Sequence, residues 1–174
     1  MAVSKNQGLM YGVICGLVSI FVTVILYLIG VKAFMGPLSF LGFAIPIAIG
    51  VLAGLARKKA QGGFLEFREA LQTAFLVMVI GTVISVLFNY VLLNYIDVPF
   101  REALAQETAE TQARWMQKFN APQDQIDKAV ADTLNGNNYT LAKMLLSAAF
   151  ISIFWFLMSL IVAAIIKKKK PVFE

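Results

Sequence analysis

Four long apolar runs constrain this chain more than any other feature. The first is Leu9 to Val31 and holds no charge. The second, Leu38 to Ala56, and the third, Ala70 to Tyr95, are also uncharged. The fourth, Leu141 to Ile166, carries Lys143 alone, near its start. A hydrocarbon core about 30 Å thick is crossed by roughly 20 helical residues, so each run is long enough to span it. An unpaired amide in lipid costs several kcal/mol, which favours helices that pair their own backbone groups. A β-barrel would show short alternating strands, and these runs are continuous. The expected fold is all-α: one polytopic membrane domain over 1–174, with transmembrane helices at about 9–31, 38–56, 70–95 and 141–166. Composition agrees. Of 174 residues, 59% are hydrophobic and 14% charged, too apolar a mixture for one soluble core of this size. The first run is about twice the length of a signal-peptide core, so a retained helix is expected.

Basic residues set an expected orientation. Arg57, Lys58, Lys59 and Arg68 crowd the second loop, Lys167 to Lys170 follow the last run, and Lys5 precedes the first. With four spans these three regions share one side, and the positive-inside rule makes that side cytoplasmic. Both termini are then cytoplasmic. The net charge of +5 is assigned to these loops and not to nucleic-acid binding.

The third loop, 97–139, faces outward in this scheme and holds four basic and seven acidic residues. It reads as an amphipathic helical hairpin between the third and fourth spans. Pro99 suits a helix start. Phe100, Leu104, Thr108, Thr111, Trp115 and Phe119 recur at three- and four-residue steps, with Glu102, Gln106, Glu110, Arg114 and Lys118 largely opposite. Asn120 and Gln123 resemble a capping box for a second helix with an Ile126, Val130, Leu134 stripe. Asn135 to Asn138 should stop it. The apolar face of Phe100, Leu104, Trp115 and Phe119 is a candidate partner surface, since helix-in-groove binding uses such stripes. The same stripe also suits a hairpin resting on its own bundle or on lipid.

Small residues mark expected helix packing. Gly8, Gly12 and Gly16 recur at four in the first run; Gly42, Pro46, Gly50 and Gly54 do so in the second. Such stripes let backbones approach closely within a bundle or, alternatively, a homo-oligomer. Ala148, Ser152, Ser159 and Ala163 add a face on the fourth run. Pro46 should kink its helix. Trp155 reads as packing, and Tyr11, Tyr95 and Tyr139 as interfacial anchors. Thr82, Ser85 and Asn89 form a candidate polar intramembrane face. Residues of this kind more often bond a neighbouring helix than a solute. Glu66, Arg68 and Glu69 read as an interfacial cluster at the start of the third run.

Catalytic machinery is not expected. Histidine is absent, the single cysteine is Cys15 within an apolar run, and no span buries a charge deeply. No phosphate loop, nucleophile motif, metal cluster or dinucleotide fingerprint occurs. No catalytic, cofactor-binding or metal site is assigned, and the chain is read as a non-enzyme without cofactors.

The order Arg57-Lys58-Lys59, Gly62-Gly63-Phe64-Leu65-Glu66-Phe67, Ala70, Phe75, then Asn94-Tyr95-Ile96-Asp97, then Ile161 to Ile166 and its lysine run, resembles the bacterial family named domain of unknown function 4199. The resemblance covers nearly the whole chain. It implies a small four-span protein of a bacterial inner membrane with a helical insert before the last span. It brings no catalytic residues. The expected role is a structural or accessory component of an envelope assembly, with the lipid bilayer and a membrane-protein partner or homo-oligomer as contacts. The alternative is a small transporter or channel for a polar solute, lined by Thr82, Ser85 and Asn89.

Overall fold

The computed structural model describes residues 2–135 and 137–169, with side chains described from residue 7 onward apart from residue 137. The Lys5 side chain, Gly136 and Lys170, used above for orientation and for the hairpin's end, lie outside that description. The chain is helical: α1 (Ala2–Ile29), α2 (Val31–Met35), α3 (Leu41–Ala60), α4 (Phe67–Val91), α5 (Val98–Lys118), α6 (Gln123–Leu134) and α7 (Leu141–Ile166). Four helical stretches are long and apolar enough to cross a membrane: Gln7–Ile29, Pro37–Ala60, Phe67–Ile96 and Leu141–Ile166. The helical hairpin α5–α6 lies between the third and fourth. Gly30, at φ 117, separates α1 from α2. A short 3-10 turn, Pro37–Phe40, leads into α3, and a π turn, Leu92–Ile96, extends α4.

The helices divide between two compact units. The first takes in residues up to Val22, Phe40–Ser85 and those from Ala148 onward; the second takes in Thr23–Ser39 and Val86–Ser147.

The first unit buries many small residues and leaves many large apolar ones exposed. Gly50, Ala53 and Gly54 of α3, Ala70, Ala74 and Gly81 of α4, and Ala148, Ser159 and Ala163 of α7 are buried. Leu17, Phe21, Leu52, Phe150, Ile161 and Ile165 are exposed. A water-soluble bundle does the reverse. With lipid as solvent, association comes from close packing, and small inward faces supply it.

Glycine spacing sets the fit of α1 on α4. A Cβ at Gly8 would stand 3.0 Å from Leu76 Cδ2. At Gly12 it would stand 2.8 Å from Ile80 Cβ, and at Gly16 2.7 Å from Ile84 Cβ. Three glycines four apart thus meet three branched side chains four apart. Gly81 answers from α4, where a Cβ would meet Cys15 Sγ at 2.6 Å. Gly50 faces Met78, and Gly54 faces Ile166 of α7. Gly42 has nothing within 4 Å and is not part of a seam. Around these contacts Leu65, Ala70, Ala74, Met78, Trp155, Val162, Ala163 and Ile166 form one buried cluster. Tyr11, four residues into the apolar stretch that begins at Gln7, packs against the buried Cys15, Ala53 and Val77 cluster. Pro46 sits six residues into an unbroken α3. It removes one backbone donor there, yet the helix continues through it.

In the second unit α5 and α6 pack against each other, with Thr133 Oγ1 donating to Gln112 Oε1 at 2.9 Å; Leu104, Ala105 and Ala109 of α5 and Ile126 of α6 are buried. The turn between them corrects the expected capping box. Asn120 has φ 55 and ends α5: its N–H donates to the Gln117 carbonyl (3.0 Å), and the Ala121 N–H to the Met116 carbonyl (3.0 Å). That is a Schellman ending with asparagine in the left-handed position. Pro122 takes the cap position of α6 and makes no side-chain cap bond.

Candidate functional site

Two polar constructions stand out, one in each unit. The first grows from the last turn of α3, Arg57-Lys58-Lys59, whose charge also complements the helix C-terminus. Arg57 is only 7% exposed. Its Nη2 donates to Glu69 Oε1 at 2.8 Å, and its Nη1 donates to Thr73 Oγ1 at 2.7 Å and to the Glu69 carbonyl at 3.1 Å. Gln61 Nε2 donates to the same Oε1 at 3.1 Å. A buried guanidinium persists only when paired in this way. One donor, Arg57 Nε, is buried without a partner among the described residues.

The neighbouring chain ends are tied to this node. Gly62 and Gly63, at φ 75 and 89, close α3 with a second Schellman ending, Gly63 N–H donating to the Lys58 carbonyl at 2.9 Å. The chain then runs to Leu65, which exchanges two backbone hydrogen bonds of 2.8 Å with Lys168. Lys58 Nζ donates to the Ile166 carbonyl at 2.8 Å, satisfying an orphan group at the end of α7. Lys167 Nζ lies 5.7 Å from the Phe67 ring centroid and Lys168 Nζ 5.6 Å from that of Phe64. The sequence reading saw an interfacial cluster at Glu66, Arg68 and Glu69. It missed Arg57 as its buried centre, because a charge run carries no signal of which member turns inward.

The second construction anchors the insert. Asp97 caps α5, its Oδ1 accepting from the Phe100 N–H at 2.9 Å and its Oδ2 from Tyr27 Oη at 2.8 Å. Asn94 Nδ2 donates to the Tyr139 carbonyl at 3.0 Å, and Arg101 Nη1 donates to Asn94 Oδ1 at 3.1 Å. Burial pushes the Tyr139 phenol above its ordinary pKa, against opposing effects from a Thr108 hydrogen bond and the Arg101 charge. Phe100 sits edge-on to Tyr27 (4.8 Å between centroids) and Phe34 (5.6 Å).

The candidate partner face therefore divides. Leu104 is buried, and Phe100 is half-buried against Tyr27 and Phe34. Trp115 and Phe119 are 56% and 77% exposed. Their rings stack at 6.2 Å and 18°, and Lys118 Nζ lies 5.1 Å over the Trp115 ring. Thr111, Arg114 and Gln117 line an open hollow beside them. Arg114 also pairs with Glu107 at 3.4 Å.

Thr82 Oγ1 donates to the Met78 carbonyl of its own helix at 2.8 Å, in place of the expected bond to a neighbouring helix. Ser152 and Ser159 of α7 likewise bond carbonyls of α7. Ser85 and Asn89 are partly buried and each has interactions of its own. Among the described residues no group of three His, Cys, Asp or Glu side chains could hold a metal ion.

Four helices long and apolar enough to cross a membrane, with many large apolar side chains exposed along them, define a polytopic helical membrane protein in contact with the lipid bilayer. Residues 10–168, most of the chain, match the family described as "Protein of unknown function (DUF4199)", and the chain belongs to that family. No curated protein and no solved structure matches it.

Proposed function

We propose that this protein is a non-enzymatic structural or accessory component of an envelope assembly in a bacterial inner membrane, with both termini cytoplasmic. The observation that carries the reading is the Trp115–Phe119 stack. Two large aromatic rings stand exposed on a helix whose upstream aromatic, Phe100, is packed within its own unit. Exposed aromatic rings and arginine, here Trp115, Phe119 and Arg114, are residue types enriched at protein interfaces. In the spans, hydroxyls bonded to carbonyls of their own helices support a packing role over a solute path.

The test is site-specific photocrosslinking from position 117 in native membranes, comparing the wild-type chain with Trp115→Ala/Phe119→Ala. The expected result is one stoichiometric adduct that the double variant loses while its thermal unfolding is unchanged. An undiminished adduct in the double variant would remove this surface from consideration. Orientation is tested separately. A phosphatase reporter placed between Asn135 and Asn138 should be active, and one fused after Glu174 inactive; the opposite pattern reverses the assignment.

A further inference from the structure

We propose that the end of the first unit formed by the α3–α4 loop and the residues after α7 binds the phosphate of an anionic phospholipid. Three observations converge there. Residues 57–69 and 167–169 carry seven basic side chains and two acidic ones, and the acid Glu69 is already engaged by Arg57. The second acid, Glu66, is exposed and has no ion pair among the described residues. Lys59 and Arg68 are exposed and likewise have no ion pair among the described residues. An excess of positive charge is thus concentrated on two short segments.

The segments are also fixed in place. The reciprocal Leu65–Lys168 backbone bonds hold the residues after α7 against the loop. Lys167 and Lys168 each set one side of their ammonium group against an aromatic ring, Phe67 and Phe64. An ammonium has three donors, so such a contact leaves N–H groups for an anion. A free polylysine tail would spread its charge over many positions; this one is held against the α3–α4 loop.

The apolar surroundings favour a lipid over a free anion. Lys58 Nζ on the Ile166 carbonyl puts the ends of α3 and α7 side by side. Back along these helices Leu52, Leu55, Ile161 and Ile165 are exposed. A phosphodiester seated at the lysines has its acyl chains over that apolar surface, in contact an inorganic phosphate cannot make. Charge attraction and chain packing then act on one ligand.

The test uses the full chain purified in a neutral detergent at low salt. Thermal unfolding is followed with dioleoylphosphatidylglycerol, dioleoylphosphatidylcholine or inorganic phosphate added at equal phosphorus. A ligand that binds the folded state raises the midpoint by mass action. The expected result is a larger rise with the glycerol lipid than with either other addition. Lys167→Gln/Lys168→Gln should lose more than half of that rise. Lys118→Gln/Lys128→Gln, the same charge change in the insert, should keep it. Equal rises with the two lipids overturn the proposal, as does an equal loss in both double variants, which would mean diffuse charge. A rise with phosphate matching the glycerol lipid overturns the lipid assignment. Should Lys167→Gln/Lys168→Gln fail to fold, Lys59→Gln/Arg68→Gln, at exposed positions, makes the same comparison with the same expected loss.

Discussion

Arg57 and Glu69 form an ion pair whose two ends differ in their access to water. The arginine side chain is 8% exposed and the glutamate 33%. Removing one member of a buried pair costs about 3 kcal/mol or more, because the other is left charged and unpaired. Glu69→Ala strands the guanidinium, which has little water to turn to. Arg57→Met leaves a carboxylate that solvent reaches. Glu69→Ala should therefore be the more destabilising of the two, measured by thermal unfolding in detergent; equal effects would refute the asymmetry. The glycines give a second contrast at this scale. Overpacking a close contact costs about 1–3 kcal/mol. Gly16→Ala places its Cβ against Ile84 and should destabilise by that amount, whereas Gly42→Ala enters open space and should be neutral or mildly stabilising. The same unfolding assay decides it, and equal stability of the two variants would mean that the α1–α4 seam is loose.

Among elements, two helices end alike with different residues. α3 uses Gly62 at its left-handed position and α5 uses Asn120. A left-handed backbone costs most non-glycine residues about 1–2 kcal/mol, and asparagine less. Asn120→Gly should keep or raise the protection of the last turn of α5, and Asn120→Val should lower it, read by amide hydrogen exchange. The opposite order would show that Asn120 acts through its side chain. This ending also shows how far the sequence could be read. The four spans and the insert hairpin were legible because apolar runs and helical periodicity extend over whole elements. The direction in which Asn120 acts was not legible, since asparagine suits both a helix start and a helix end. The spacing Phe100, Leu104, Trp115, Phe119 placed four residues on one stripe. It could not tell that Tyr27 and Phe34, more than sixty residues away in sequence, pack against Phe100 and leave Trp115 and Phe119 exposed. The buried role of Arg57 depends in the same way on Thr73 and Glu69 meeting it across a loop.

At the scale of the whole molecule the insert begins and ends at nearly one point. Asn94 Nδ2 meets the Tyr139 carbonyl at 3.0 Å, so the end of the π turn and the approach to α7 are already adjacent. A connection of about 2–5 residues joins antiparallel helices. Residues 98–138 can therefore be replaced by a Gly-Ser linker of that length without pulling α4 and α7 apart. The Gly8–Gly12–Gly16 seam, the Arg57 bonds and the Trp155 cluster are all made by residues of the first unit. The excised chain should insert in membranes and keep that packing. Its one remaining tryptophan, Trp155, then reports on the first unit alone. Removing Phe100 uncovers Tyr27 and Phe34, so faster hydrogen exchange is expected over residues 23–35. The Trp155 emission maximum should stay that of a buried indole, and the photocrosslinked partner should be lost. A red-shifted Trp155 would mean that the insert is required for the first unit to fold. A retained partner would move the docking surface from the insert to the spans.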